Sequence, residues 1–245
     1  MSTEMHTDVM IIGGGVAGRS AGIFTARHGF ETTILTAGSP LLRRNANLEN
    51  YPGFPAGISA RLLLDMMRDH AERSGCSFVD GQVIDVTPNH DGFAIETEGG
   101  QRWSSEYVIA ATKNDVSYLE DIDGVRIVDR GKLFVDTDES GRTGVSRLYV
   151  AGRMAEKPHQ AIVCAGHGAE VAVALLEDDD RPFYHDWVAP DRYFTGRGRD
   201  VPPGCEEIDD DERIRREQAG LEVLQDYVRE LHPDPPEQHP SVDED

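Results

Sequence analysis

The sequence predicts an α/β fold: a doubly wound parallel sheet with an inserted β-meander, a C-terminal irregular arm and a final helix. Three observations carry this prediction. A continuous apolar strand, DVMIIGG at 8–14, leads through glycines into a helix of small residues and then into a second strand, FETTILT. Short strands with turn residues at 89–92 and 99–100 follow over residues 77–111. Further strand-like segments lie at 107–112, 133–136 and 148–152.

The first strand, helix and second strand form a βαβ unit whose turn carries Gly13, Gly15 and Gly18 in a G-x-G-x-x-G pattern. In a Rossmann-like fold these glycines permit a tight turn, let a pyrophosphate approach the backbone and let the helix pack closely on the sheet. We therefore expect a dinucleotide at this helix start, beside Val16 and Ala17. The alternative is a βα turn that serves the fold alone.

The second strand ends at Thr36, where dinucleotide-binding folds usually carry an acid that holds a ribose hydroxyl. Glu31 stands at the beginning of that strand and cannot serve. The ribose is therefore expected to be held more weakly or by other groups. In the loop over 37–57, Arg43 and Arg44 are candidates for phosphate contact, with simple exposure as the alternative.

The spacing of apolar residues predicts helices over 58–74, over the small-residue segment opened by His159, Gln160 and Ala161, and over 212–231. We expect a single dinucleotide-binding domain over 1–177, an arm and amphipathic helix over 178–231, and a disordered acidic, proline-rich tail over 232–245. The arm is rich in aromatic residues, so it either wraps its own domain or contacts a partner.

The composition is strongly acidic: 245 residues carry a formal net charge of −21, and only Lys113, Lys132 and Lys157 are lysines. Such a surface argues against nucleic acid and anionic membranes, which would repel it. It fits a cytoplasm rich in salt, where charge repulsion is screened. No apolar segment approaches the roughly 18 residues of a membrane span, and no leader pattern is present. We expect a halophilic, cytoplasmic protein.

The three cysteines, Cys76, Cys164 and Cys205, are widely separated and form no C-x-x-C pair. The sequence therefore indicates neither a redox dithiol nor a zinc site, and no metal site is predicted. His159 and His167 lie eight residues apart without carboxylates at ligand spacing, which favours capping or solvated roles.

Several fragments, taken in order, resemble the flavin-binding half of thioredoxin reductases: GGGVAG, ENYPGFPAGI, VIAAT, LFVDTDESGRTGVSRLYVAGR and HQAIVCAGHGAEVA. They lie within residues 8–115 and 131–177. The resemblance implies FAD extended across the sheet, and commonly a homodimer. It assigns Asn50 to the flavin side, Val83 to the adenine through its backbone, and Ala111 and Thr112 to the middle of the cofactor. Gln160 and Ala161 would offer backbone N–H groups to the N1/C2=O edge of the flavin.

The chain departs from that family in three places. Only 18 residues, Lys113 to Arg130, stand where the family inserts an NADPH-binding domain with its C-x-x-C, so disulfide reduction by the family mechanism is not expected. Lys113 replaces the glycine of A-T-G. Gly152-Arg153 replaces a G-D pair whose Asp holds a ribityl hydroxyl, and an arginine cannot accept that hydrogen bond. Arg153 would instead reach a phosphate or an anionic flavin, or turn outward.

Three functional hypotheses follow. The first is a single-domain FAD-dependent oxidoreductase that exchanges electrons at flavin N5 with a separate donor, either free NAD(P)H or a carrier protein, and an unidentified acceptor. The second is a non-catalytic dinucleotide-binding subunit or regulator. The third keeps the fold but binds NAD in place of FAD. The catalytic residues are not identified by the sequence.

Overall fold

A computed structural model describes residues 4–239, 241 and 242 of the chain. The helices of this part of the chain are α1 (Val16–Arg27), α2 (Ala60–Ser74), α3 (Ala161–Asp178) and α4 (Asp210–Val228). The strands are β1 (Met5–Ile12), β2 (Thr32–Thr36), β3 (Ser77–Asp80), β4 (Val83–Pro88), β5 (Phe93–Thr97), β6 (Arg102–Ala110), β7 (Ile127–Asp129), β8 (Leu133–Val135), β9 (Leu148–Val150), β10 (Trp187–Pro190) and β11 (Cys205–Ile208).

The main sheet has the strand order β3-β2-β1-β6-β5-β4, and β9 pairs with β6 as well. The pairs between β1, β2, β3, β6 and β9 are parallel, whereas β4, β5 and the first part of β6 run antiparallel. This mixed sheet, dominated by parallel pairs, confirms the predicted α/β class.

The prediction of a meander over 77–111 is wrong for its first residues, 77–80. Its first strand, β3, pairs in parallel with β2 at the edge of the main sheet, with Thr36 opposite Asp80. The segment between β2 and β3 contains α2, so it is long enough to return the chain to the same edge as a crossover connection. The meander itself consists of β4, β5 and the first half of β6.

Strand β6 joins the meander to the parallel sheet in one continuous element. Residues Arg102–Ser105 pair with β5, and Val108–Ala110 pair with β9 on the same side, while β1 pairs along nearly the whole of the other side. Its sequence changes accordingly. Buried and less buried residues alternate over 102–106, and the run 107–110 is buried throughout because both faces are covered.

Two apolar layers sandwich the sheet. Val9 and Ile11 of β1 face a cluster built with α1, α2 and α3, whereas Met10 and Ile12 face a cluster built with the meander and residues 116–155. This alternation along one strand is the period of two that a sheet covered on both faces requires. The helices therefore lie on one face, and the meander and connecting segments cover the other.

The arm after α3 packs on its own domain. Arg27 at the end of α1 makes two hydrogen bonds of 2.6 Å to the Asp186 carboxylate, and Trp187, Tyr193 and Phe194 pack edge to face on one another. Strands β10 and β11 pair in parallel as a separate ribbon that leads into α4. None of the described helices is both long and apolar enough to cross a membrane.

The tail predicted to be disordered makes specific contacts over its first part. The Arg43 guanidinium donates to Asp234 at 2.9 Å and to Glu237 at 3.1 Å, and His232 Nε2 lies 2.9 Å from an Asp65 oxygen. These ion pairs hold residues 232–237 against α2 and the turn Leu41–Arg44. The prediction of disorder for residues 240 and 243–245 lies outside the described residues.

Helix α1 packs against α3 at backbone distance. A Cβ added at Gly168 of α3 would fall on the Ala17 carbonyl oxygen, and one added at Gly152 would lie 2.8 Å from the Ala17 Cβ. A Cβ at Gly18 would likewise fall on the Gly13 carbonyl oxygen. The absence of side chains at these positions therefore sets how closely α1, α3 and the Gly13 turn approach one another.

We predict opposite effects for two alanine substitutions in α3. Gly168→Ala forces apart α1 and α3 and should lower the free energy of unfolding by about 1–3 kcal/mol. Gly166→Ala meets no atom within 4 Å and should raise it by roughly 0.5–1 kcal/mol, because alanine has the higher helix propensity. Chemical denaturation of both variants tests this prediction, and equal effects of the two substitutions would contradict it.

Candidate functional site

A cleft of about 1270 Å³ runs along the carboxyl ends of the parallel strands. It is larger than the ~300–1,000 Å³ of most small-molecule pockets. Its walls begin where β1, β2, β3 and β6 end and where α1 and α3 begin. In open α/β sheets this edge is the usual ligand site. We refer to its two ends as the Thr36 end and the Gln160 end.

All of the sequence-predicted site residues except two line this cleft: Gly13, Gly15, Val16, Ala17, Thr36, Asn50, Val83, Ala111, Thr112, Arg153, Gln160 and Ala161. The exceptions, Gly18 and Gly152, lie behind the wall. Gly18 permits close packing on the Gly13 backbone, whereas Gly152 packs against the side chains of Ala17 and Cys164 and has a left-handed φ of +69°.

The glycines of the motif divide into two roles. Gly13 has a φ of +117°, and a Cβ there would lie 2.6 Å from the Ala111 carbonyl oxygen, so the fold itself requires glycine. At Gly15 the backbone is ordinary extended chain, with φ −78°, and a Cβ would meet nothing within 4 Å. Because the protein leaves that space open, the bare backbone at Gly15 is explained by a ligand that approaches it closely.

The two helices that begin in the cleft lack side-chain caps. Neither Gly15 before α1 nor Gln160 before α3 caps its helix with a side-chain hydrogen bond, and neither helix has an acidic residue in its first turn. By contrast, Ser59 caps α2, and Asp209 caps α4 by accepting from the Glu212 N–H at 2.8 Å. The free N–H groups of α1 and α3 therefore offer two sites for anionic or acceptor groups.

A buried arginine that the sequence analysis missed lies under the glycine turn. Arg19 Nε donates to the Gly14 carbonyl oxygen at 2.7 Å, and its NH1 donates to the Leu64 carbonyl oxygen of α2. Burial, together with the nearby charge of Arg68, lowers the pKa of Arg19 to about 10, which leaves it charged at neutral pH. The signal in the sequence is one charged residue within an otherwise small and apolar first turn.

At the Thr36 end, the neighbouring strand supplies the acid that β2 lacks. Thr36 Oγ1 donates to an Asp80 carboxylate oxygen at 3.0 Å, and Asp80 lines the cleft at the end of β3. A carboxylate here can accept hydrogen bonds from ribose hydroxyls. Sequence reasoning missed Asp80 because β3 was assigned to the meander. Arg43 is paired with Asp234 and Glu237 of the tail rather than being free for a phosphate.

At the Gln160 end, Asn50 and Gln160 meet. Asn50 Nδ2 donates to Gln160 Oε1 at 2.9 Å, which brings the loop over 37–57 to the start of α3. Deeper in the cleft, Thr112 Oγ1 donates to the Asp115 carbonyl oxygen at 2.7 Å and lies 2.7 Å from the Tyr118 hydroxyl. These contacts fix the side chains that face the middle of the cleft.

The two positions that depart from the family are both held by local structure. Lys113 keeps the left-handed backbone that a glycine would adopt, with a φ of +68°. Arg153 stacks on the Phe134 ring, with its guanidinium carbon 4.8 Å from the ring centre, and donates to the Lys157 carbonyl oxygen at 3.1 Å. Arg153 therefore lies at the rim of the cleft, fixed by its own loop and not turned away from it.

Cys164 and His167 support the wall from α3. Cys164 lines the cleft, and burial raises the pKa of its thiol, so the thiolate is disfavoured. The backbone N–H of Gly152 donates to His167 Nδ1 at 2.9 Å. His167 is buried, and burial lowers its pKa below the ordinary value of 6.5. The neutral ring therefore anchors the turn that carries Arg153.

The fold and this cleft define a dinucleotide-binding α/β protein. Comparison with known proteins narrows the class further. Residues 8–43, which contain the βαβ unit, match the family model described as FAD binding domain. Thioredoxin reductase of Aquifex aeolicus is 38% identical over 107 residues, or 43% of this chain and 33% of that protein. Thioredoxin reductase of Rickettsia felis is 25% identical over 193 residues, or 78% of this chain and 61% of that protein.

Solved structures agree on the fold. A thioredoxin reductase from Gloeobacter violaceus superposes with a TM-score of 0.66 at 18% identity, covering 76% of this chain and 100% of that one. The T. acidophilum thioredoxin reductase gives 0.65 at 19% identity, covering 71% and 99%. By sequence, the chain aligns with about a third of the Aquifex aeolicus protein and about three-fifths of the Rickettsia felis protein. Over these stretches the chain is similar to the FAD-binding part of thioredoxin reductases, and the family match at the βαβ unit indicates FAD as the cofactor.

We predict that the His167 anchor makes stability fall in mild acid. Because the folded pKa lies below 6.5, the unfolded chain binds more protons as the pH falls below that value, and the free energy of unfolding decreases. The stabilisation is fully present above about pH 6.5 and is lost progressively below it, down to the folded pKa.

The His167→Gln variant keeps an oxygen that can accept from Gly152 but does not titrate. Denaturation curves at about pH 7.5 and 5.5 should show a larger loss for the wild type than for His167→Gln. The other histidines are present in both proteins, so their titration cancels in the comparison. An equal or larger loss in the variant would contradict the assigned role.

Proposed function

We propose that this chain is a FAD-dependent oxidoreductase whose flavin exchanges electrons with a separate donor and an acceptor that are not part of the chain. The observation that carries the proposal is the pair of uncapped helix starts facing one elongated cleft. An extended dinucleotide with a central pyrophosphate and a polar ring system at one end matches both sets of free N–H groups.

The residues of the α1 start would hold the pyrophosphate. The N–H groups after Gly15 point into space that no side chain fills, and the charged Arg19 lies directly behind the turn. Both features favour a negatively charged group at this point. Toward the Thr36 end, the Asp80 carboxylate would accept from ribose hydroxyls, and the backbone of Val83 borders the space left for the adenine.

At the Gln160 end, the α3 start would face the pyrimidine edge of the flavin. A bound flavin supplies two-electron redox chemistry, and its reduced form gathers negative charge at that edge. The N–H group of Ala161 and the dipole of α3 would stabilise this charge. The Gln160 N–H, which the resemblance assigned to the same role, instead donates to the Pro158 carbonyl oxygen at 2.7 Å. Asn50 orients the Gln160 side chain through their 2.9 Å hydrogen bond and so keeps the helix start clear.

A separate donor is proposed because of the segment between β6 and β8. Residues 113–130 form a short turn over Ser117–Leu119 and the strand β7, which pairs with β8. This segment contains no βαβ unit that could bind a second nucleotide. The cysteines Cys76 and Cys164 are buried and free, so they offer no dithiol for disulfide exchange. Electrons would therefore reach the flavin from another molecule, either free NAD(P)H or a carrier protein.

We also propose that the protein works in a cytoplasm of high salt concentration. The net charge of −21 with 45 acidic residues is suited to a cytoplasm of high salt concentration, where screening weakens the mutual repulsion of surface carboxylates.

We predict that Gly15→Ala weakens FAD binding without affecting the fold. The added methyl group occupies the space where the pyrophosphate approaches the backbone, and the φ of −78° accepts an alanine without strain. Loss of two hydrogen bonds to a charged group should weaken FAD by about 100-fold. Titration of FAD, followed by its visible absorption in high salt, measures the effect, with Gly166→Ala as the matched control.

The outcomes separate the alternatives. A wild-type protein that takes up one FAD per chain and is reduced anaerobically by NAD(P)H or by a chemical one-electron donor supports the proposal. A wild-type protein that takes up no FAD refutes it. FAD binding by Gly15→Ala at wild-type affinity would show that the pyrophosphate lies elsewhere. Bound FAD that exchanges no electrons with either donor would indicate a non-catalytic subunit.

A further inference from the structure

All three lysines of this acidic chain surround the Gln160 end of the cleft. Lys113 lines the cleft itself, as does Arg153. Lys157 belongs to the loop between Arg153 and His159, which both line the cleft, and Lys132 precedes Leu133, whose carbonyl oxygen accepts from Asn114 beside Lys113. We call this set, Lys113, Lys132, Lys157 and Arg153, the lysine rim.

Direct contacts join the three loops that carry the rim. Asn114 Nδ2 donates to the Leu133 carbonyl oxygen at 2.9 Å and so holds the Lys113 turn against the residue after Lys132. The Arg153 guanidinium lies over the Phe134 ring and donates to the Lys157 carbonyl oxygen. The four cations thus belong to one continuous surface.

The lysine rim is a positively charged area on a protein that is negatively charged overall. Within the described residues, no carboxylate lies within ion-pair distance of any of the four rim cations. The neighbouring Glu156 carboxylate forms an ion pair with Arg130, and Lys157 Nζ donates to the backbone oxygen of Glu139. Asp115 also lines the cleft nearby and accepts from Ser117. His159 has a lowered pKa, caused first by burial and then by Lys113, Arg153 and Lys132.

The backbone of Lys113 adds a second indication. Its left-handed φ of +68° is a conformation that glycine adopts more readily than a residue with a side chain, yet the chain carries a lysine there.

We propose that the lysine rim docks the acidic face of a separate electron-transfer protein next to the flavin. This inference rests on the proposed function for the direction of electron flow. A protein partner is favoured over a small anion because the rim cations lie on three separate loops, and Lys113 and Lys132 are exposed. Flexible lysines act as point charges, which suits steering and docking of a charged surface more than fixed recognition of one phosphate.

The test uses the FAD-loaded full chain and fluorescently labelled poly-L-glutamate as the probe. The wild type should bind the probe at low salt and release it as salt is raised. The triple variant Lys113→Gln, Lys132→Gln, Lys157→Gln should bind about tenfold more weakly. The matched control Arg73→Gln, Arg102→Gln, Arg229→Gln carries the same change in net charge on other surfaces and should bind like the wild type.

Three results would overturn the docking inference: no binding of the probe to the wild type, equal weakening in both triple variants, or displacement of the probe by ADP at stoichiometric concentration. The last result would assign the rim to a nucleotide. FAD content is measured separately by absorption, so loss of the flavin refutes the proposed function and is distinguishable from loss of probe binding.

A second, independent observation concerns α4. Its apolar residues Ile214, Leu221, Leu224 and Val228 are each about half exposed or more, and Leu231 just beyond the helix is 95% exposed. Their spacings of seven, three, four and three residues are those of a coiled-coil seam. The side of α4 away from the seam is held by the body through Arg216, which donates to Glu206. Tyr227, at the edge of the seam, lies beside Asp69 of α2.

The residues beside this seam fit a second copy of the same helix. Four of the positions that flank the seam, Gln218, Gly220, Gln225 and Tyr227, carry no charge in a chain of net charge −21. The fifth, Arg213 in the first turn, is already paired with Asp210 and Glu217 of its own helix. Two such helices therefore meet without repulsion at the flanks. Glu217 is the one charged residue within the seam. In a parallel pair it would face its own copy, whereas in an antiparallel pair it faces Val228 of the second copy.

We infer that α4 pairs with α4 of a second chain in antiparallel orientation, with Leu221 opposite Leu224 of the second copy at a two-fold axis. Light scattering after size exclusion should show a dimer, and Leu221→Glu with Leu224→Glu should weaken it at least 100-fold. The control, Ile84→Glu with Val201→Glu, also adds charge at exposed apolar positions and should leave it unchanged. Glu217→Leu should strengthen the dimer.

The orientation is tested by oxidative cross-linking in a Cys205→Ser background. A mixture of Glu217→Cys and Val228→Cys proteins should cross-link, whereas Glu217→Cys alone should not. In the antiparallel pair the two copies of position 217 are about 16 Å apart, from a rise of about 1.5 Å per residue. A monomeric wild type, a dimer insensitive to the Leu221 and Leu224 changes, or cross-linking by Glu217→Cys alone would overturn the inference.

Discussion

The close packing of α1 against α3 is the constraint on which the site depends. Gly168 lets the α3 backbone reach the carbonyl of Ala17, and Gly18 lets α1 reach the turn at Gly13. With any side chain at these positions, the two helices would separate and their N-terminal ends would no longer face one cleft. The uncapped N–H groups of α1 and α3 point to one ligand because backbone contacts bring the helix starts together. The small residues of both helices are required for this close packing whether or not a ligand is bound.

Much of this arrangement could be predicted from the sequence. The βαβ unit was predictable because an apolar strand, a glycine turn and a small-residue helix each leave a local pattern that tertiary structure does not alter. Gln160 and Ala161 were predicted as a helix start for the same reason, and α3 begins at Ala161. The assignment of Asn50 and Gln160 to the flavin side came from the resemblance alone. The hydrogen bond between their side chains is visible only in the structure.

The features of the site that the sequence did not predict depend on contacts between segments that are distant in the chain. Asp80 reaches Thr36 because β3 lies beside β2, and a four-residue strand of mixed burial carries no signal for its partner. Arg19 was missed because its partners, the carbonyl groups of Gly14 and Leu64, are backbone atoms that leave no mark in the sequence. Lys113 and Arg153 were noted in the sequence as departures from the family, but their proximity to the other lysines was not visible, since residues 113, 132 and 157 come together through loops without regular structure. The contacts of the tail with Arg43 depend on individual ion pairs, which composition does not predict.

The continuity of β6 has a consequence for the order in which the chain folds. Its first half pairs with β5 across a short turn at 98–101, so this hairpin closes a small loop and forms early. Its pairing with β1 joins residues roughly a hundred positions apart, and such contacts form more slowly because loop closure must precede them. The meander can therefore present a preformed strand edge to β1, and the parallel sheet would be completed from that edge. On this route the two walls of the cofactor cleft, at β1 and β6, meet in one late step, so the ability to bind a dinucleotide would arise together with the completed sheet.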